Sequence, residues 1–289
     1  MNPLKILAFG AHPDDAELNV GGCAAMWTAQ GHSVKFVSTT NGDVGHAIKS
    51  GRELAEIRKK EVEAAAEVLG IETAVMDVHD GELMPTLENR LIFLKYIREW
   101  EADIVIGHRP YDYHPDHRYT GVLMQDAAFM VTVKYVLPEV TCLTRNPVFL
   151  FSYDHFQTPI PFNPTIAVPI DSVMDKKMDA LWCLESQIES YWYKENFVDV
   201  SPVPNEPGAR ALRKQEFFDQ CLWKPVWRKQ ADQYRELIHH TYGAEIATQT
   251  KYAEAFEVCE YGRQPTLEEL KDLFPKIGIQ FDQHLGQNE

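Results

Sequence analysis

Two short segments hold most of the residues able to do chemistry. The first is Gly10-Ala11-His12-Pro13-Asp14-Asp15-Ala16-Glu17, and the second is His108-Arg109-Pro110-Tyr111-Asp112-Tyr113-His114-Pro115-Asp116-His117. A catalytic zinc takes three N, O or S ligands from the protein and keeps a further position open for water. His12, Asp15 and His117 supply two imidazoles and a carboxylate, and water in such a site ionises near a pKa of roughly 7. A carboxylate held beside that water but off the metal serves as general base. Asp14, adjacent to a ligand and so obliged to point elsewhere, fits that role. Attack on an amide carbonyl builds an oxyanion that a second electrophile beside the metal would stabilise; His114 is the candidate. A plainer reading stands next to each of these. Asp14 and Asp116 are also placed to cap a following helix, and for Asp116 capping is the preferred reading. Glu17 anchors the first loop as readily as it serves catalysis.

For the two segments to meet, the chain must bring two loops together. Residues 4–9, 34–39, 73–78, 103–107, 148–152 and 165–169 read as short apolar strands. Between them residues 18–30, 53–69, 87–100 and 119–131 read as helices; Gly70 is a ready terminator for the second. This alternation predicts an α/β fold: a Rossmann-like, doubly wound, mostly parallel sheet with helices on both faces. Both chemical segments directly follow predicted strands, and in open α/β sheets ligands bind in the crevice beyond strand C-termini. After residue 170 the pattern changes. Asp171 is placed to cap a long helix running to about residue 194, and residues 195–208 are proline-rich and irregular. Residues 211–240 look helical, and Thr266 with Glu269 has capping-box spacing for a last helix near 267–274. The expected organisation is a core over 1–194 with a mainly helical C-terminal extension over 195–289 packing on it.

Composition narrows the partners. With 43 acidic against 28 basic residues the formal charge is −15. No basic stripe is present, which disfavours a nucleic-acid partner. The five cysteines are scattered without a C-x-x-C pair, as expected of reduced thiols in the cytoplasm. The N-terminal apolar run is too short for a signal-peptide core, and no stretch is long enough for a membrane span.

The two segments also carry a resemblance. HPDD-x-E after a first strand, with a later HPDH, is similar to the LmbE-like or PIG-L family of zinc-dependent N-acetylglucosaminyl deacetylases. The similarity continues through Asn41-Gly42-Asp43-Val44-Gly45, then Ala55, Arg58, Glu61, Ala65, Leu69 and Gly70. It ends with Lys177, Ala180 and Ser186-Gln187, so that it spans about residues 4–190. It implies Zn2+ on His12, Asp15 and His117, Asp14 as base, His114 at the oxyanion and Arg58 at the substrate. It further implies a small-molecule or glycan N-acyl substrate and leaves room for a homo-oligomer. The chain departs from the HPDH-x-x-x-H pattern of many members: Gly121 stands where the last His would be.

Other functions remain open on the residues alone. An amidase for a larger acyl conjugate would use the same chemistry. Two His and one carboxylate also form the triad of Fe(II) oxygenases, and such a site would accept Fe(II), Co(II) or Ni(II). A non-catalytic metal- or glycan-binding protein would have no use for Asp14. Arg58 with Glu61 could be a surface pair, worth only ~0.2–0.5 kcal/mol. His46, His79, His155, His239 and His240 have no partner spacing and read as structural or exposed. Tyr111, Asp112, Tyr113 and Arg109 flank the site without revealing which of them lines it. Tyr191-Trp192-Tyr193 reads as packing, with sugar stacking as the alternative.

Overall fold

The computed structural model describes residues 3–190 and 201–277; the Tyr191-Trp192-Tyr193 cluster and the C-terminal tail lie outside them. Seven strands form one sheet in the order β3-β2-β1-β4-β5-β7-β6. They are β1 (Lys5–Gly10), β2 (Ser33–Ser38), β3 (Glu72–Val75), β4 (Ile104–Gly107), β5 (Val148–Ser152), β6 (Ile166–Pro169) and β7 (Ala253–Gly262). The first five pair in parallel, while β7 runs antiparallel between β5 and β6. The helices are α1 (Asp15–Ala29), α2 (Gly51–Leu69), α3 (Leu87–Trp100), α4 (Pro115–Met130), α5 (Met174–Trp182) and α6 (Glu185–Ser190). They continue as α7 (Pro207–Gln220), α8 (Lys224–Gln233), α9 (Arg235–Tyr242), α10 (Ala244–Gln249) and α11 (Leu267–Leu273).

The central strands β1, β4 and β5 are almost continuously apolar because both sheet faces are covered. Along β1, Ile6 and Ala8 join the core that includes Trp27 and Leu69, while Leu7 and Phe9 join the opposite core with Phe93 and Leu123. Strands β4 and β5 divide in the same way, Ile104, Ile106, Val148 and Leu150 to one side, Val105, Phe149 and Phe151 to the other. The expected doubly wound α/β sheet is what forms. Gly70 ends α2 with a left-handed φ of 76°, and the Thr266–Glu269 capping box is made on both sides.

Several expectations need correction. Helices α1 and α4 start at Asp15 and Pro115, earlier than residues 18 and 119, so the metal-type residues sit on the helix starts. The long helix after Asp171 is instead a short 3-10 turn (Asp171–Val173), α5 and α6. Asp171 caps nothing there; its carboxylate accepts the Lys251 and Tyr252 N–H groups. Strand β7, from the C-terminal part of the chain, lies hydrogen-bonded between β5 and β6.

Candidate metal centre

Strands β1 and β4 are neighbours, with Ala8 opposite Ile106, yet the chain leaves β1 towards β2 and returns to β4 on the other side. The sheet order reverses at this point, and the loops leaving the two strands open a crevice there. The turn out of β1 is tight: a Cβ on Gly10 would lie 2.9 Å from Asp15 Cβ. Pro115 at the first helical position pre-sets the start of α4. Its first turn carries His117 to face the β1 loop.

His12 Nδ1, Asp15 Oδ2 and His117 Nε2 form a triangle with sides of 3.4, 3.5 and 3.2 Å. Ligands about 2.0–2.1 Å from a tetrahedral zinc stand about 3.3–3.4 Å apart, so these atoms have the spacing of one tetrahedral face. Two imidazole nitrogens and a carboxylate oxygen at such distances repel through their lone pairs unless protons or a cation lie between them. Neighbouring histidines enter three overlapping donor groups, His12–His114–His117, His12–Asp80–His114–Asp116 and Asp15–His108–His117. Their free lone pairs are committed elsewhere: His108 Nε2 accepts the Ala11 N–H at 3.2 Å and His114 Nδ1 accepts the Asp116 N–H at 3.3 Å. His12, Asp15 and His117, the set expected from the sequence, have a donor chemistry that suits a divalent metal.

Carboxylates back both imidazoles. His12 Nε2 lies 3.1 Å from Asp80 Oδ1 and 3.4 Å from Asp116 Oδ2, and His117 Nδ1 lies 3.2 Å from Asp112 Oδ2. Such partners fix the tautomer and orientation of a ligating histidine. Burial opposes charge on His12, but Asp116, Asp15 and Asp80 hold its pKa well above the imidazole range. His117 is raised likewise, burial being outweighed by Asp15 and Asp112. Burial would raise Asp15, yet His117 and His108 bring it well below the carboxylate range. The cluster therefore demands positive charge at its centre, which a metal would supply in exchange for these protons.

Asp14 stands at the N-cap position of α1 but makes no side-chain cap. Its carboxylate instead accepts Arg58 Nη2 at 2.9 Å. Burial raises its pKa, with Arg58 opposing. Arg58 is only 2 % exposed and also donates to the carbonyls of Gly42 and Pro13. Arg58 is therefore not half of a surface pair: it lies behind Asp14. Glu61 turns instead to the Ser186 N–H and hydroxyl. Glu17 is buried in the first turn of α1, and burial pushes its carboxyl up to about 8.

His114 caps α4. Because its Nδ1 accepts a hydrogen bond, the neutral ring carries its proton on Nε2, leaving that N–H to donate. Burial and then the charges of His12 and His117 lower its pKa and favour this neutral form. Asp116 is no cap: wholly buried, it accepts the Gly81 and Leu83 N–H groups and faces His12. Gly121 is required where it stands, since a Cβ would lie 2.5 Å from the His108 carbonyl oxygen. Sequence reasoning gave no role to Asp80, Asp112 or His108. The available signal was His79-Asp80 just beyond the third predicted strand, a second His/Asp pair at a strand end.

A hydrolytic His/Asp centre at the switch point of a Rossmann-like sheet defines the class, and comparison with known proteins defines the family. Residues 7–128 match the PIG-L family, described as GlcNAc-PI de-N-acetylase. The diacetylchitobiose deacetylase of Thermococcus kodakarensis is 31% identical over 195 residues, 65% of this chain and 72% of that protein. The 4-oxalmesaconate hydratase of Pseudomonas putida is 26% identical over 196 residues, 64% of this chain and 74% of that protein. Among solved structures, the N,N'-diacetylchitobiose deacetylase from Pyrococcus horikoshii aligns with a TM-score of 0.67 and 24% identity, covering 89% of this chain and 84% of that one. This chain belongs to the PIG-L family and is by class a metal-dependent deacetylase, a hydrolase of amide bonds.

Proposed function

We propose that the protein removes the acetyl group from an N-acetylated amino sugar or related glycoside, with zinc held by His12, Asp15 and His117. The observation that carries this reading is the 3.2–3.5 Å triangle of those three donors with Asp14 beside it. Bound there, the metal supplies a Lewis acid that activates water near neutral pH. Asp14, held by Arg58, would accept a proton from the attacking water and return it to the departing amine. His114 donates its Nε2–H to the oxygen on which charge develops. Asp80, Asp116 and Asp112 hold the ligand imidazoles in register. Five free thiols and the lack of a membrane-crossing helix among the described residues suit a cytoplasmic enzyme.

The similarity to a hydratase motivates a second reading, addition of water to an unsaturated carboxylate. A carboxylate substrate needs cationic partners, and the nearby arginines are engaged elsewhere. Arg58 holds Asp14, Arg109 holds Asp154, and Arg118 donates to the carbonyls of Asp112 and Tyr113. The interior is instead rich in carboxylates, which favours a neutral acetamido sugar. Product analysis on the zinc-loaded enzyme decides the matter. Equimolar acetate and amine from N-acetylated sugars is the expected result. A longer acid would assign an amidase, and loss of a conjugated C=C bond without amine would assign a hydratase.

A further inference from the structure

The mouth of the centre carries an aromatic side chain with no structural need to be there. Tyr113 is 72 % exposed, yet its ring stands 5.7 Å from His114 and 5.8 Å from His117, edge-on to both. Phe156 stands beside it, 6.1 Å from the Tyr113 ring, and packs on His155 at 4.5 Å. The two rings come from different loops, one after β4 and one after β5. Arg109 locks these loops together. It is 2 % exposed and grips Asp154 with two bonds of 2.6 and 2.7 Å. It also donates to the carbonyls of Phe156 and Ile160 at 3.3 and 2.9 Å. The side chain after a metal-type histidine is thus a buried clamp, while the exposed tyrosine faces the centre.

An exposed aromatic ring beside a polar reactive centre is what a binding site uses for an amphipathic ligand. A pyranose fits this description, since it presents a face of C–H bonds and a rim of hydroxyl groups. We propose that Tyr113 and Phe156, the latter on the loop held by the Arg109–Asp154 clamp, form the stacking wall of a pyranose subsite. The sugar's C–H face would lie on the Tyr113 ring with its acetamide at the metal centre. Ring contact, and not the phenol hydroxyl, carries the recognition, so the wall selects N-acetylated sugars over acyclic acetamides. This inference rests on the N-deacetylase reading and deepens it by naming the residues that choose the substrate.

The test uses the zinc-loaded full chain with an N-acetylglucosamine oligosaccharide as substrate and glucosamine as a binding probe. Tyr113→Ala should raise KM and the glucosamine Kd by about tenfold, on the scale of a lost aromatic contact, with kcat within about twofold. Tyr113→Phe, which restores the ring, should recover both, and Phe156→Ala should follow Tyr113→Ala in kind. Unchanged KM and Kd in Tyr113→Ala would overturn the proposal. A fall in kcat alone, or a change of oligomeric mass by light scattering with KM unaltered, would do the same. Wild-type enzyme that neither releases acetate from any sugar nor binds glucosamine would sink the deacetylase reading itself. That outcome is distinct from an active wild type indifferent to the loss of Tyr113.

Discussion

In the proposed mechanism Asp14 and Arg58 set the acid side of the pH profile. The base must be ionised to accept a proton, and burial raises its pKa while Arg58 opposes that rise. Activity should therefore climb as pH increases through the pKa of Asp14. Replacing Arg58 by Met removes the opposing charge, so the acid limb should move to higher pH, with zinc content unchanged. A limb that stays in place would show that the ion pair does not tune the base. In the proposed site Asp80 would act on the metal through His12, to which it lies 3.1 Å away. Asp80→Asn keeps the shape and loses the charge, and zinc affinity should fall by about 10–100-fold in a competition titration with a chelating dye. Affinity equal to wild type would place Asp80 outside the orienting network. The candidate ligands and base could be named from the sequence because their types and spacing are tied to one another along the chain. Asp80 could not, since it meets His12 only through the packing of a third strand end.

At the scale of elements, the start of α1 determines where Asp14 and Asp15 point, and the far side of that helix is held by a buried ion pair. Lys177 on α5 and Glu254 on β7 are 0 % and 1 % exposed and lie 2.6 Å apart. Lys177 also donates to the Leu18 carbonyl and sits 3.9 Å over the Trp227 ring. Glu254 accepts the N–H groups of Gly22 and Cys23. Lys177→Ala leaves Glu254 buried without its partner and should cost about 3–5 kcal/mol, read from the urea midpoint. The Lys177→Met, Glu254→Gln double variant should recover much of that loss, since a neutral pair carries a smaller desolvation penalty. Equal losses in the single and double variants would contradict the ion-pair account. Strands were read well from the sequence because burial on both faces makes them plainly apolar. The starts of α1 and α4 were read late, because His-Pro-Asp looks like loop until its side chains are seen turning towards a shared centre. Strand β7 was missed because its pairing partners lie about a hundred residues earlier in the chain.

Across the whole molecule, the sheet order places one reactive loop on each side of the switch point, and the C-terminal third closes the sheet with β7. Alternating strands and helices were enough to predict the first five strands and their crevice, but not where the later segments return. Specificity belongs to this larger scale, since the rim of the site combines loops after β4 and β5 that only the fold brings together. The central claim is narrower: the triangle holds a metal, and Asp14 works beside the metal without binding it. It is tested most directly by Asp14→Asn, with metal content and acetate release measured on the same zinc-loaded sample. The account predicts one zinc per chain, as in wild type, and a fall in kcat of about 10²–10⁴-fold. Retained turnover, or loss of the zinc together with the activity, would contradict it.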